Sequence, residues 1–483
     1  MSSHDPEGRS VQPSTRRRSR SAKISRTRLA GVLGALVALL GALSLTQFLT
    51  TDRSVGKSPI ASPSPGGAAS HPATVGAGPA LLEPDGGLHF MSKFPGSLPD
   101  DPAYFPIGVW LESIVDPPDV AKDKAAGLNT YVGLVPTSNI ELAAREGMHV
   151  LAQIDVWASR PESSSATLKG WLLPDEIDMN EGPKKGPKTL ARTLERIPAN
   201  DRRLVYANYG KGVIFWETDV EAKAFVNNYS DIVSADTYWF TDRDVCHASQ
   251  GGQLLGAWRQ LPPEQCHLAA NYGRTIDRVR SLIEPKGAKP VWSYVEVGHP
   301  SSENDWPTIT PPQIRAAVWS GIIHGARGIV YFNHSFGGSA VSQHALREPA
   351  YAETLAAVKR INEQITQLAP VLNAPIVTGI LKGASPAVTG GVKTTSGVYT
   401  TKTTDLLLKF LDGHIYVLAG SATPAKHTTQ FSLPCVGDAT AVVLGEERTI
   451  AVKGGVFEDV FEDGNAVHLY RLDGGSTCHL EQP

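Results

Sequence analysis

Two glutamates stand out by their surroundings. Glu176 lies in GWLLPDEID and Glu296 in PVWSYVEVG, each at the end of a strongly apolar run. A carboxylate among apolar strand residues is costly to desolvate, so such a position calls for a reason. Two opposed carboxyls suit glycoside hydrolysis. One stays protonated to help the leaving oxygen, and the other is ionised to attack or to activate water. Asp175 precedes Glu176 and is expected to bind a sugar hydroxyl or to raise the Glu176 pKa by like charge. Asp236 and Tyr238 stand together in SADTYWF, with Tyr238 a candidate hydrogen-bond donor to the second carboxylate. Asp155, Asn208, Asn333 and His334 are candidate hydroxyl binders, and Trp157 a candidate platform for the apolar face of a sugar ring. The chain has no G-x-S-x-G, H-E-x-x-H or P-loop pattern and no cluster with metal-ligand spacing, so neither a metal nor a cofactor is expected.

The elements that must position these residues alternate. From Tyr104 to about residue 370, PIGVWLE, NTYVGLV, HVLAQIDVW, GWLLPDEID, RLVYANY, DIVSADTYWF, PVWSYVEVG and GIVYFNHS read as eight short strands. Helical patterns such as PKTLARTLERI and PPQIRAAVWSGIIHGA separate them, the latter entered through Thr310 and two prolines. Eight strand–helix units in this span match an α/β fold of the (β/α)8 type, the TIM barrel, whose usual length is about 250 residues. A doubly wound open sheet is the alternative, but no G-x-G-x-x-G follows the first strand. In such a barrel chemistry sits at the C-terminal ends of the strands, where Glu112, Asp155, Asp175, Glu176, Asp236 and Glu296 fall. Over residues 371–475 the pattern turns to short strands with Gly and Asp-Gly turns, a small antiparallel β-sandwich in which DGHIYVL and GNAVHLYRL look like paired central strands.

With Glu176 on the fourth strand and Glu296 on the seventh, the chain resembles the clan of (β/α)8 glycoside hydrolases that carry the acid/base Glu on strand 4 and the nucleophile Glu on strand 7. The stretch TPPQIRAAVWSGIIHGARGIVYFNHSF also resembles helix 7 and strand 8 of those enzymes, and a trailing β-sandwich is common among them. The resemblance implies Glu176 as general acid/base and Glu296 as nucleophile in a retaining mechanism on a poly- or oligosaccharide. It departs from the clan pattern at Asp175, where Asn is usual, and at Asn333 and His334, where strand 8 often ends in Trp. A barrel that binds carbohydrate at a cell surface without cleaving it is the alternative, and a third reading makes the barrel an interaction surface within an envelope assembly.

The N-terminal region concerns address. The 483 residues carry a net charge of -3, but residues 1–28 hold eight basic side chains against Asp5 and Glu7. Residues 29–51 follow without a charged side chain, long enough for one helix to cross a bilayer. The basic tail before it predicts a cytoplasmic N-terminus and a single-pass protein of the cell membrane with extracellular C-terminal domains. The alternative is secretion after cleavage of a signal peptide. Residues 52–88, rich in Pro, Ser, Gly and Ala, read as a disordered linker. Cys246, Cys266, Cys435 and Cys478 fit an exported chain. Three pairings are open, and proximity in sequence favours Cys246–Cys266 and Cys435–Cys478. A near-neutral total gives no reason to expect nucleic acid as a partner.

Overall fold

The computed structural model describes residues 79–480, apart from 304, 384, 387, 390–391, 394–396 and 475–477. The basic tail, the apolar run 29–51 and the linker as far as residue 78 lie outside the described residues. Among the described residues no helix is long and apolar enough to cross a membrane.

A short strand β1 (Ala80–Leu82) opens the folded unit. The eight apolar runs then become eight parallel strands: β2 (Ile107–Glu112), β3 (Thr130–Leu134), β4 (His149–Gln153), β5 (Leu168–Leu172), β6 (Leu204–Tyr209), β7 (Ile232–Ala235), β8 (Val291–Glu296) and β9 (Ile329–Phe332). They pair in chain order and close, with β9 returning to β2 through Ile107–Ile329. Closure leaves no sheet edge and excludes the open doubly wound sheet. Alternation along each strand divides the side chains. Val132, Leu151, Leu172, Tyr206, Trp292 and Val330 fill the barrel interior. Val109, Tyr131, Trp171, Ala207 and Val295 belong instead to the larger core that contains the helices. On β8 Trp292 and Tyr294 belong to the interior cluster, so the period of two turns Glu296 inward as well. The helix Pro311–Ile323 begins as its sequence predicts, with Thr310 and Gln313 forming a reciprocal capping box ahead of two prolines.

The C-terminal region is antiparallel. One sheet runs from β1 through β10 (Ile376–Thr378), Thr404–Leu411, His414–Ser421, Val467–Asp473 and Ala439–Val443 to Arg448–Val452. DGHIYVL and GNAVHLYRL pair there as central strands, with Ile415 opposite Leu472 and Leu418 opposite Leu469. A two-stranded ribbon, His427–Ser432 with Val456–Phe461, shares its core. Phe431 and Phe457 of the ribbon stack at 4.6 Å, and both meet Tyr470 of the sheet edge-on. The disulfides are Cys246–Cys266 and Cys435–Cys478, with Cα separations of 5.2 and 4.8 Å.

The linker expected over 52–88 ends earlier than its composition implies. Ala80–Leu82 pairs antiparallel with Thr378–Ile376, and Asp85 is buried against Arg280. The apolar triplet ALL, set between Pro79 and Pro84, gains an edge position on the sheet, so residues 79–88 belong to the folded unit.

The barrel and the sheet meet at a buried ionic seam. His324, just past the helix Pro311–Ile323, contacts Asp277 Oδ2 through Nδ1 at 2.8 Å and Asp405 Oδ2 through Nε2 at 3.2 Å. Burial alone would favour neutral imidazole. The two carboxylates outweigh it and raise the pKa to about 9. A folded-state value above the unfolded one gives stability that is fully present below about pH 6.5 and lost as pH rises through about 9. Thermal denaturation between pH 6 and 10 is expected to show a fall in Tm that is flattened in His324→Gln. Identical slopes in the two proteins would contradict the assignment.

Candidate active site

Glu176 is the fourth residue beyond β5, where the chain turns into the four-residue helix Ile177–Asn180. Its backbone is left-handed (φ 46°, ψ 37°), a conformation that costs a residue with a Cβ about 1 kcal/mol or more. The neighbouring strand holds it there. The Glu176 N–H donates to the Asn208 carbonyl of β6 at 3.1 Å, and the Glu176 carbonyl accepts from Met179 and Asn180 at 2.9 Å each. Gly210, directly after β6, leaves the space that the side chain uses. A Cβ there would stand 2.8 Å from Glu176 Oε1 and 2.3 Å from Met179 Sδ. Gly210→Ala is therefore expected to displace the Glu176 carboxyl and lower kcat on the order of 10²-fold, as misplacement by about 1 Å does. Steady-state kinetics check this, and an unchanged kcat would show that the position of Glu176 does not matter.

Asp175, Glu176, Asp178 and Asp236 converge at the ends of β5 and β7. The Asp175 pKa is raised well above the usual range by burial and then by the charge of Asp236, against the opposing bond from Asn208. The Glu176 pKa is also well raised, by burial first and then by the charges of Asp236, Asp175 and Asp178. The Glu176 and Asp236 carboxyls stand close enough to perturb each other, and two neighbouring carboxylates favour a proton on one of them. Their interaction favours the proton on Glu176, because it raises the Glu176 pKa and offsets part of the rise that burial gives Asp236. Burial raises the Asp236 pKa on balance, although Tyr238, which donates to Asp236 Oδ2 at 2.9 Å, favours its ionised form. Asp178, 3 % exposed, accepts from the Gly210 and Val213 N–H groups. Burial still outweighs those bonds and raises its pKa to about 6.

A chain of hydroxyl and amide groups orients Asp175. Ser234 donates to Asn208 Oδ1 at 2.7 Å, so Tyr206 supplies the proton in its 2.6 Å contact with Ser234. Asn208 Nδ2 then donates to Asp175 Oδ1 at 2.9 Å. The amide is thereby fixed, with its oxygen facing Ser234 and its nitrogen facing Asp175.

Glu296 is fully buried. Tyr272 donates to its carboxylate at 2.7 and 2.8 Å, and Thr241 donates to Oε1 at 3.0 Å. Burial raises its pKa to about 7 in spite of these donors. The Tyr238 hydroxyl lies within the electrostatic reach of both glutamates. Burial first, and then the charges of Asp236, Glu176 and Glu296, raise its pKa. Tyr238, expected to donate to Glu296, donates to Asp236 instead, and Tyr272 and Thr241 are the donors to Glu296.

Asp175, Glu176, Asn208, Asp236, Tyr238 and Glu296 come together here. Four other candidates are placed differently. Asp155 is the second residue of the short helix Ile154–Trp157, is half-exposed and is paired with Arg196. Trp157 is packed into the core with the Arg160 guanidinium over its ring, so neither face is free for a sugar. Asn333 is buried and fully used: it donates to Glu112 and accepts from the Leu346 N–H. His334 is 4 % exposed, contacts the Leu111 carbonyl at 3.3 Å and packs against Phe332 and Phe336. Burial lowers its pKa. Glu112, which Asn333 contacts, also binds His344 at 2.5 Å and Arg347 at 3.1 Å, and so fastens the segment after β9 to the end of β2. Asp178, Gly210, Thr241 and Tyr272 are the site residues that the sequence reading missed. The run DEID carries a signal for Asp178. Tyr272 arrives from the helix Ala270–Leu282, with no local pattern to connect it to Glu296.

No family model matches the chain, and no curated protein does. Solved structures with a similar course of chain include glycoside hydrolases. One, described as "Glycoside hydrolase", shares 11 % identity over 77 % of this chain and 92 % of its own, with a TM-score of 0.46. A glycoside hydrolase family 5 protein from Bacteroides vulgatus shares 12 % over 77 % and 89 %, also at 0.46. AmyP, solved in complex with maltose, shares 9 % over 75 % and 96 %, at 0.43.

Proposed function

We propose that this protein is a glycoside hydrolase, exported and tethered to the membrane by its N-terminal apolar run, that cleaves O-glycosidic bonds of an extracellular or cell-wall glycan by a two-carboxylate retaining mechanism. The observation that carries this reading is the presence of two carboxyls, Glu176 just past β5 and Glu296 at the end of β8, at the C-terminal ends of strands of one closed barrel. Glu176, kept protonated by burial and then by the charges of Asp236, Asp175 and Asp178, gives its proton to the leaving oxygen and later takes one from water. Glu296, whose pKa burial raises to about 7 against the donors Tyr272 and Thr241, attacks the anomeric carbon once ionised. Asp175, oriented by Asn208, holds a sugar hydroxyl. The basic tail and the uncharged run of residues 29–51 support single-pass anchoring, with secretion after cleavage as the other route.

One observation favours a second reading, a surface protein that binds carbohydrate without cleaving it. Glu296 has no exposed surface, and Tyr272 donates to both of its oxygens. A panel of aryl glycosides and polysaccharides offered to the purified protein separates the two. Hydrolysis of a panel member supports the enzyme, whereas binding without product release across the panel supports the binding protein.

A further inference from the structure

The helix Gly182–Leu194 follows Glu176 closely in the chain and carries Lys184, Lys185, Lys188 and Arg192 without a single acidic residue. Gly186, Leu190 and Thr193 are its buried side. Lys185, Lys188 and Arg192 are exposed and recur at helical spacing, so they form one stripe. The stripe lines an open groove of about 620 Å³ together with Asn180, Glu181 and Thr189. That volume lies in the range of ligand-binding clefts. Asn180 ties the groove to the carboxyl site. Its N–H donates to the Glu176 carbonyl at 2.9 Å, and its Nδ2 donates to the Asp175 carbonyl at 3.2 Å.

Glu181 is the one acid of the lining, and it is engaged elsewhere. Thr189 donates to its Oε2 at 2.6 Å, and Arg192 Nη2 donates to the Thr189 hydroxyl at 3.1 Å. Among the described residues no carboxylate forms an ion pair with Lys185, Lys188 or Arg192. Beyond residue 28 acidic side chains outnumber basic ones, so an unpaired basic stripe next to the carboxyl cluster departs from the rest of the chain. Asp175, Glu176, Asp178 and Asp236 would repel an approaching anion, and cations set beside that cluster offset the repulsion. From Lys185 to Arg192 the stripe extends about 10 Å along the helix, longer than one sugar ring. We propose, resting on the glycoside hydrolase reading above, that this groove binds an anionic polysaccharide, with its carboxylate or phosphate groups on Lys185, Lys188 and Arg192 and the adjoining glycosidic bond at Glu176. The Arg192 guanidinium, steadied by Thr189, matches the paired oxygens of either group, and the two lysines act as point charges.

The test is affinity electrophoresis of the full chain through gels containing polygalacturonate or its carboxyl-reduced, neutral form, and phosphomannan or its dephosphorylated form. At least one anionic polymer is expected to retain the protein more than its neutral partner does, and added salt to weaken the retention. Lys185→Gln/Lys188→Gln is expected to lower the affinity about 5-fold. The control Lys359→Gln/Arg360→Gln, which removes two exposed charges from the helix Ala352–Asn373, is expected to leave it unchanged. The basic N-terminal tail is common to all three proteins, so only the difference between them reports on the groove. The polymer that retains the protein tells carboxylate from phosphate. Equal retention by anionic and neutral partners, no retention by any polymer, or equal losses in the two variants would overturn the proposal. Retention requires no cleavage. Anionic retention through Lys185 and Lys188 without hydrolysis would therefore remove the enzyme and keep the groove, and hydrolysis of neutral glycans alone would do the reverse.

Discussion

Replacing Glu176 by Gln is expected to lower kcat/KM by about 10²–10⁴-fold, the range for loss of a positioned general acid. The carboxamide preserves shape but has no proton to transfer. The loss should depend on the leaving group: large for a sugar or alkyl alcohol, which needs the proton, and smaller for a nitrophenol, which departs as a stable anion. Glu296→Gln should lose at least as much on every substrate, because attack at the anomeric carbon is required whatever departs. Kinetics with paired substrates of high and low leaving-group pKa read this difference. Undiminished turnover in both variants would remove the two glutamates from the mechanism. A similar loss of Glu176→Gln activity on good and poor leaving groups would remove its role as acid.

The second large effect concerns pH. A nucleophile must be ionised, and burial holds Glu296 at about 7. Activity should therefore rise as pH passes through about 7, well above the range in which an exposed glutamate ionises. The proton on Glu176 is retained to higher pH by burial and by the charges of Asp236, Asp175 and Asp178, so activity should fall only when that proton is lost. The pH dependence of kcat/KM is then a bell displaced toward higher pH than an exposed carboxyl pair would give. Asp236→Asn removes the charge that, after burial, contributes most to raising the Glu176 pKa. The alkaline limb should move to lower pH in that variant, while the acid limb, which belongs to Glu296, stays in place. A wild-type profile with its acid limb near the ordinary carboxyl range, or an alkaline limb unmoved by Asp236→Asn, would contradict these assignments.

The barrel was legible because each strand needs only a short apolar run and a boundary, both of which are local. The period of two then turns Glu296 inward with Trp292 and Tyr294. Both disulfides could be read from proximity along the chain. What required three dimensions was the direction of side chains just past a strand and the identity of distant partners. Asp155 stands at a strand end as Glu176 does, but β4 runs straight into a helix that turns it outward to Arg196. Glu176 escapes that fate through a left-handed backbone and the room left by Gly210, 34 residues away. Asn333 looked free for a sugar, yet Glu112 and the Leu346 N–H consume both ends of its amide. β1 was concealed because three apolar residues hardly alter a Pro- and Gly-rich composition, and its partner β10 lies almost 300 residues further along the chain.

The most direct measurement of the proposed roles is mass spectrometry of a trapped intermediate. A fluorinated, activated analogue of whichever glycoside the panel identifies should accumulate as a covalent glycosyl-enzyme. One added sugar mass is expected on the peptide containing Glu296, absent in Glu296→Gln. A glycosyl adduct on Asp236 or any other carboxylate, or turnover with inversion and no adduct at all, would contradict it.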